Sequence, residues 1–270
     1  MQNELQSNCS DCFGLCCVAL PYMKSNDFPY NKDGGQPCQH LETNHLCSIH
    51  DSLRDNGFNG CVSYECFGAG QKVSQLLYKR RDWREHTSIK KEMFAVFPIV
   101  QQFHEMLVYL QQSLEVEEAQ DLKEEIRHFY DMTEELTLKA PDEIISLDLS
   151  LHRSKVNPLF LKVSELYRSN YQKLTRLPEK YKRPDYIGVN LKGLDFRGES
   201  FRGKWLMAAN FSHSDLRRVD FIGADMRDTD FSNANLAEAL YLTQAQVNSA
   251  KGNLATVLPH YLNRPEHWQR

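Results

Sequence analysis

The spacing of the hydrophobic residues divides the chain into regions with different periods. Residues 1–71 show little periodicity and are rich in Cys, Gly, Asn and Asp. Residues 72–180 carry apolar residues at alternating steps of three and four, the spacing of one face of a helix. Residues 187–241 carry an apolar residue every five positions, which fits neither a helix nor a strand. The pattern therefore predicts three domains, followed by a C-terminal cap and tail at residues 242–270.

Two apolar stripes in the helical region predict a pair of helices. The first stripe covers residues 89–114 and contains Pro98, which predicts a kink or a break. The second covers residues 119–136, and the short link between the stripes predicts an antiparallel pair. Asn157 followed by Pro158 predicts the start of a third helix, with Asn157 as its N-cap.

Ten apolar residues form the five-residue repeat without a break. An Asn or Asp usually precedes each of them, and a small residue often stands two positions before it. A fixed repeat of this kind predicts a solenoid whose narrow interior takes the large and the small residue in alternation. Glu199 and Lys204 occupy the small position, which indicates an irregular first coil. The ten apolar residues are Leu191, Phe196, Phe201, Leu206, Phe211, Leu216, Phe221, Met226, Phe231 and Leu236.

The stretch AANFSHSDLRRVDFIGADMRDTDFSNANLAEA resembles the pentapeptide-repeat family, whose motif is A(D/N)LXX. The resemblance covers residues 187–268 and implies a right-handed quadrilateral β-helix with four pentapeptides in each coil. The ending LTQAQVNSAKGNLATVLPHYLNRPEHW is similar to the closing segment of many members, where a short helix, here Thr243 to Ser249, covers the last coil. The predicted fold class is therefore multi-domain α and β. It combines a small Cys-rich metal-binding domain, a helical middle region and a C-terminal β-helix.

All eight cysteines lie before residue 67. Cytoplasmic thiols are normally kept reduced, so this density predicts a metal site more than a disulfide framework. Eight thiolates could form two sites, because zinc and iron–sulfur clusters each commonly take four ligands. Cys16 and Cys17 could serve different sites or one bridged cluster. The predicted metal ligands are Cys9, Cys12, Cys16, Cys17, Cys38, Cys47, Cys61 and Cys66.

The segment CSDCFGLCC, with the later CQHLETNHLCSIHDSLRDNGFNGCVSYECFGAGQ, resembles the CxxCxxxCC family of zinc- or iron-chelating domains. This resemblance covers residues 9–71 and implies zinc, with an iron–sulfur cluster as the alternative. His40, His45 and His50 are reserve ligands that we expect at the surface or beside the ligands. A metal that only holds the domain together is as compatible with this pattern as a catalytic one.

Charge and composition give little attraction to nucleic acid or membrane. The formal net charge is −4, and no apolar run approaches the roughly 20 residues that span a bilayer. The opening MQNELQSNCSDC lacks the apolar core of a secretory signal, so we expect a cytoplasmic protein. The basic run from Tyr78 to His86 surrounds Trp83, and it fits a solvated helix face better than a nucleic-acid grip.

No Ser/His/Asp arrangement, phosphate-binding glycine loop or HExxH motif occurs, which favours a binding protein over an enzyme. We expect a metal-stabilised scaffold that contacts a protein partner through the β-helix faces, with a homodimer possible. The first alternative is an iron–sulfur enzyme of redox or methyl-transfer type.

The second alternative is a DNA mimic that binds DNA gyrase, as quinolone-resistance members of the pentapeptide-repeat family do. Two and a half coils at roughly 4.8 Å per layer give a stack of only about 12 Å. Residues 187–239 carry seven Lys or Arg against eight Asp or Glu, which is nearly neutral. The repeat region is therefore short and weakly charged for this role.

Overall fold

The computed structural model describes residues 2–172, 178, 181 and 183–269. The chain divides into two compact units. We call Met1–Leu114 with Asp121–Leu159 the N-terminal unit, and Glu115–Gln120 with Phe160–Arg270 the repeat unit. The cysteine-rich region and most of the helical region therefore belong to one unit.

Helices joined by irregular segments make up the first 172 residues. Their α-helices are α1 Leu15–Ala19, α2 Asn59–Val62, α3 Ala69–Gln71, α4 Lys90–Glu115, α5 Lys123–Thr137, α6 Pro141–Ser146 and α7 Leu149–Gln172. A π-helix at Lys72–Leu77 follows α3 directly. Short 3₁₀ helices lie at Gln2–Leu5, Cys9–Asp11, His50–Ser52, Thr87–Ile89 and Glu117–Leu122.

Helix α4 supplies much of the core of the N-terminal unit. It continues through Pro98, so the chain is not split there. Its apolar stripe is buried, with Met93, Val96 and Val100 fully inaccessible to solvent. Residues 87–115 are long and apolar enough to cross a membrane, but 56% of the most apolar window is buried inside the protein, as in the core helix of a globular domain.

Helix α7 corrects the helix start predicted at Asn157. The helix begins eight residues earlier, at Leu149, and contains Pro158 in its interior. The cap is Asp148, whose Oδ1 accepts the backbone N–H of Leu151 at 2.9 Å. An Asp side chain that accepts this N–H satisfies a donor that the first helical turn leaves unpaired.

The basic run around Trp83 is not a solvated helix face. Residues 78–86 lie in turns and bends. Trp83 itself is buried, and its Nε1–H donates to the carbonyl oxygen of Phe13 at 2.8 Å. Lys90 and Arg84 lie over its ring, at 5.5 and 5.0 Å from the ring centroid. Trp83 therefore belongs to the core of the N-terminal unit, whereas Lys79, Arg80 and Arg81 of the same run are exposed.

The repeat unit is built around coils of twenty residues, which we call the repeat stack, residues 186–257. Parallel bridges join residues twenty apart, as in Asn190 with Asn210 and Asn210 with Asp230. All ten central apolar residues are buried, so the five-residue spacing identified the interior correctly. The phenylalanines stack between coils, with the rings of Phe211 and Phe231 at a centroid distance of 5.7 Å.

The predicted C-terminal right-handed quadrilateral β-helix is wrong. The described residues contain no β-strand and no sheet, and the coils are joined only by isolated single-residue bridges. The physical reason lies in the period itself. Each pentapeptide places two residues in a turn and one in a bridge, so consecutive bridging residues never accumulate into a strand.

In nine of the ten repeats, and after Tyr186, the residue two positions after the apolar one is left-handed. Five of these positions, between 188 and 223, are glycines, which adopt a positive φ without strain. Five others carry a side chain at a φ between 55° and 62°. They are Ala208, His213, Arg218, Asp228 and Asn233. The stack therefore tolerates conformational strain at half of its corners.

A short helix and a tryptophan complete the end of the repeat stack. Helix α8, Gln244–Ser249, lies where the sequence predicts one, and Thr243 caps it by accepting the N–H of Gln246 at 3.3 Å. Trp268 is fully buried and donates to the carbonyl oxygen of Ala250 at 3.0 Å. The closing segment thus adds apolar and hydrogen-bonded contacts to the stack.

Candidate metal centre in the cysteine-rich region

The eight cysteines lie on short elements and loops of the N-terminal unit, and all are free thiols. The 3₁₀ helix Cys9–Asp11 is followed directly by Cys12. Helix α1 carries Cys16 and Cys17, and α2 carries Cys61. The other three, Cys38, Cys47 and Cys66, lie outside the helices. Such short elements bury little apolar surface, so side-chain interactions must hold this region in place.

Two pairs of cysteines approach each other. The Sγ atoms of Cys16 and Cys17 are 3.9 Å apart, because both lie on the same short helix. Cys12 and Cys66 share the space beside Gly70: a Cβ atom there would lie 2.7 Å from the Sγ of Cys12 and 3.7 Å from that of Cys66. A larger residue at this position would displace the sulfur of Cys12, whereas its Cβ would make ordinary contact with that of Cys66.

The structure does not bring the eight predicted ligands into a finished coordination sphere. Within residues 2–172 and the rest of the described chain, no group of three or more His, Cys, Asp or Glu side chains is placed to hold a metal ion. The close approaches described above involve Cys16 with Cys17 and Cys12 with Cys66, and the eight-ligand set stays a prediction.

Hydroxyl groups lie within hydrogen-bonding distance of two sulfur atoms of this region. The hydroxyls of Tyr22 and Tyr30 lie 3.5 and 3.4 Å from the Sγ of Cys38. The Oγ of Ser7 lies 2.9 Å from the Sγ of Cys66. A thiolate is a better acceptor than a thiol, since hydrogen bonds to a charged acceptor are about twice as strong. The Tyr22 hydroxyl donates to the Cys38 sulfur, and either atom can be the donor between Tyr30 and Cys38. Because the Ser7 hydroxyl donates to Oε1 of Glu65, it accepts from the Cys66 thiol. The two tyrosine hydroxyls are therefore the groups that could donate to a metal-bound sulfur here.

Lys32 is a buried cation beside the cysteines. Only 7% of it is exposed, and its Nζ donates to the carbonyl oxygens of Gln36 and Asp33 at 3.0 and 3.2 Å. It has no carboxylate partner in the part of the chain that the structure describes. Burial lowers the pKa of the Lys32 ammonium, and negative charge on Cys38 and Cys17 opposes that shift. The groups that can offer negative charge to this cation are Cys38, Cys17, Cys16 and the Asp33 carboxylate.

Burial keeps most of the free thiols protonated. It raises the pKa of Cys12 and of Cys61 to about 12, and raises that of Cys9 as well. In the adjacent pair, the hydrogen bond between the two sulfurs raises the pKa of Cys16 and lowers that of Cys17. A soft divalent cation would supply the positive charge that these buried sulfurs lack, so the donor set fits zinc or iron.

The three histidines considered as reserve ligands lie apart from any metal-holding group. His45 pairs with Asp82, with its Nε2 at 2.8 Å from Oδ2 of the carboxylate. His40 packs edge-on against Phe58, at a centroid distance of 5.2 Å, and His50 lies at the surface. His45 and His40 thus contact other side chains of the protein, and the expectation that the three histidines do not bind a metal stays a prediction.

Sequence reasoning missed Tyr22, Tyr30 and Lys32. They lie in an aperiodic segment between two cysteines, where no spacing marks them as neighbours of a sulfur. The segment folds back on itself because Tyr22 and Lys32 exchange two backbone hydrogen bonds of 3.0 and 2.8 Å. The density of tyrosine and lysine between Cys17 and Cys38 was the available signal.

The coils and their period define a protein that carries pentapeptide repeats. The family model "Pentapeptide repeats" matches residues 206–240 with eight copies. The match lies wholly within the repeat stack, so it does not test the resemblance of residues 9–71 to metal-chelating domains.

The chain belongs to the family of a Bacillus subtilis (strain 168) protein that carries the name Uncharacterized protein YybG. The two are 49% identical over 267 residues, which cover 98% of this chain and 95% of that protein. The likeness therefore includes the cysteine-rich region as well as the repeats. No solved structure matches the chain.

Proposed function

We propose that the chain is a metal-stabilised interaction protein. The cysteines of the N-terminal unit would hold zinc, and the repeat stack would contact another protein. The observation that carries the metal assignment is the buried Lys32 ammonium, which lies near Cys38, Cys17 and Cys16 as well as Asp33 and forms no ion pair with a carboxylate among the described residues. Because an uncompensated buried charge is costly, this environment favours thiolates, and thiolates at this density favour a metal.

The repeat stack offers an ordered outer surface for a partner. Charged pairs recur within its repeats: Arg197 with Asp195 at 2.8 Å, and Arg217 with Asp215 at 2.6 Å. Arg197 also lies 3.6 Å from Asp215 in the next coil. Trp205 stands on the same stack with 59% of its surface exposed. Trp205 forms a bridge with Asp225, which pairs with Arg227 at 2.7 Å. An exposed tryptophan beside a charged pair is typical of protein interfaces.

The first experiment is elemental analysis with an absorption spectrum, on protein purified anaerobically from cells given both zinc and iron. We expect bound zinc without visible absorption. Bound iron with labile sulfide would replace zinc in the proposal. The absence of any metal, together with paired thiols, would contradict the metal assignment.

The second experiment tests the interaction surface. The full chain and its Trp205→Ala variant would be used as bait in parallel, with Leu254→Ala as a matched control. Leu254 is also exposed, by 66%, but lies beyond the regular repeats. We expect a partner protein that the wild type and the control retain and the Trp205 variant loses. Equal retention by all three would contradict a role for this face.

A further inference from the structure

Cys38 differs from the other cysteines in the number of hydroxyl groups that surround it. Two tyrosine hydroxyls, from Tyr22 and Tyr30, approach its sulfur within 3.5 Å. They come from two places in one folded-back segment, which the Tyr22–Lys32 bridge closes. The Tyr22 hydroxyl donates to this sulfur, and the Tyr30 hydroxyl is placed to do so when the sulfur binds a metal. Hydrogen bonds to a charged acceptor are about twice as strong as those to a neutral one.

Aromatic packing fixes both tyrosine rings. Tyr22 stacks on Phe28, with ring centroids 4.3 Å apart and planes 8° from parallel. Tyr30 lies edge-on to Phe58 at 5.7 Å. The rings therefore have packing partners of their own, and the hydroxyls can be removed without removing the rings.

Lys32 is part of the same arrangement. Its Nζ lies 5.4 Å from the centroid of the Tyr22 ring and donates to the carbonyl oxygen of Val18 at 3.4 Å, next to Cys17. Three carbonyl dipoles hold the ammonium in place without neutralising it. A centre with four thiolates and one divalent cation carries a net charge of −2, so a fixed cation beside it is stabilising.

We propose that Tyr22, Tyr30 and Lys32 form an outer shell that holds Cys38 as a metal-ligating thiolate and offsets the charge of the centre. This inference rests on the proposed function, since it assigns positioning residues to the same metal site. The two tyrosine hydroxyls distinguish the surroundings of Cys38 from those of the other cysteines. Outer groups of this kind typically change metal affinity 10- to 100-fold.

The test compares zinc affinities by competition with a chromophoric chelator, using the full chain. Tyr22→Phe and Tyr30→Phe each remove one hydroxyl and keep the ring, and Lys32→Met removes the charge at similar length. We expect each variant to bind zinc about 10-fold more weakly than the wild type, with Lys32→Arg close to wild type. The thiolate-to-metal absorption of the cobalt-loaded protein should shift in the Tyr variants, which loss of packing alone would not cause.

Tyr64→Phe is the matched control. Tyr64 lies in the same region, but its hydroxyl donates to no sulfur within the described residues. Wild-type affinity and an unshifted cobalt spectrum in all the Tyr→Phe variants would overturn the outer shell while leaving the metal site intact. A wild-type protein that binds neither zinc nor cobalt would overturn the proposed metal site and the outer shell together.

Discussion

The cysteine-rich region and the repeat stack reach an ordered structure by opposite means. The stack buries one large apolar residue in every pentapeptide and repeats the same contacts coil after coil. The cysteine-rich region has helices of three to five residues, and its contacts are each made once, such as those of Gly70 with Cys12 and Cys66. Many equivalent contacts therefore stabilise the stack, whereas a few individual contacts stabilise the cysteine-rich region.

Because of this difference, we expect a mutation in the stack and the loss of a metal from the cysteine-rich region to change stability by different amounts. In a solenoid, stability is close to a sum of repeat and neighbour terms, so the loss of one side chain has a limited and calculable cost. Where a small region depends on a metal, removal of that single ion takes away most of its folding free energy. The comparison is therefore open to test by perturbing each region separately.

Metal removal should have the largest effect. We expect chelation to abolish the protection of backbone amides in residues 9–71 while residues 186–257 stay protected. The expected loss is on the order of 10 kcal/mol, the apparent binding free energy of structural zinc in small domains. Hydrogen exchange read by mass spectrometry, with and without chelator, measures both regions at once. Unchanged protection of residues 9–71 would show that the cysteines do not need a metal.

Removal of one stacked ring should cost less. Phe211 is fully buried between Phe196 and Phe231, with centroid distances of 5.3 and 5.7 Å. Phe211→Ala should lower the free energy of unfolding of the repeat stack by about 3–5 kcal/mol, because it leaves a cavity. Urea denaturation gives this value. Trp205→Ala is the control, since that side chain is largely exposed, and a comparable loss there would contradict the assignment of the interior.

The acid stability of the N-terminal unit should depend on His104. Its Nδ1–H donates to the carbonyl oxygen of Phe67 at 2.6 Å, and burial lowers the pKa of His104 to about 4. Between about pH 6.5 and pH 4, His104 binds a proton in the unfolded chain but stays neutral in the folded protein. The free energy of unfolding therefore falls as the pH falls. The expected loss over this window is at most about 3 kcal/mol.

The measurement is the free energy of unfolding as a function of pH for the wild type and His104→Leu. The variant should be less stable at pH 7, because it lacks the bond to Phe67, yet lose less stability on acidification. His50→Gln, a change at an exposed position, is the control and should keep the wild-type slope. Parallel pH profiles for the wild type and His104→Leu would contradict this role.

The sequence predicted the interior of the stack but not its backbone. An apolar residue at every fifth position can be read directly, because a fixed period has only one consistent set of buried residues. Single bridges can extend into strands only if few residues of each repeat lie in the turn. The number of turn residues depends in turn on the φ angle at corner positions such as Ala208. The start of α7 was also predicted wrongly. The Asn157–Pro158 pair is the stronger sequence signal for a helix start, but the residue that caps the helix is Asp148.

For the candidate site, the sequence located the sulfur atoms and missed what surrounds them. The cysteines can be identified as candidate ligands from their number and spacing in the sequence. The approach of Tyr30 to Cys38 follows from how an aperiodic segment closes, and the burial of Lys32 follows from which carbonyls turn towards it. Neither contact has a period, so neither could be derived before the backbone was known.

The smallest expected effects come from the corners of the stack, where two positions share the same φ of 62° but carry different residues. Gly203→Ala should destabilise the stack by about 1 kcal/mol, because an L-residue is strained there, although no described atom lies within 4 Å of the added Cβ. His213→Gly should stabilise it by less than about 1 kcal/mol, since relief of strain is partly offset by the greater freedom of glycine in the unfolded chain. Urea denaturation of both variants gives the sign of each change in the free energy of unfolding. Changes of the same sign would mean that side-chain contacts, and not backbone strain, decide which residues occupy the corners.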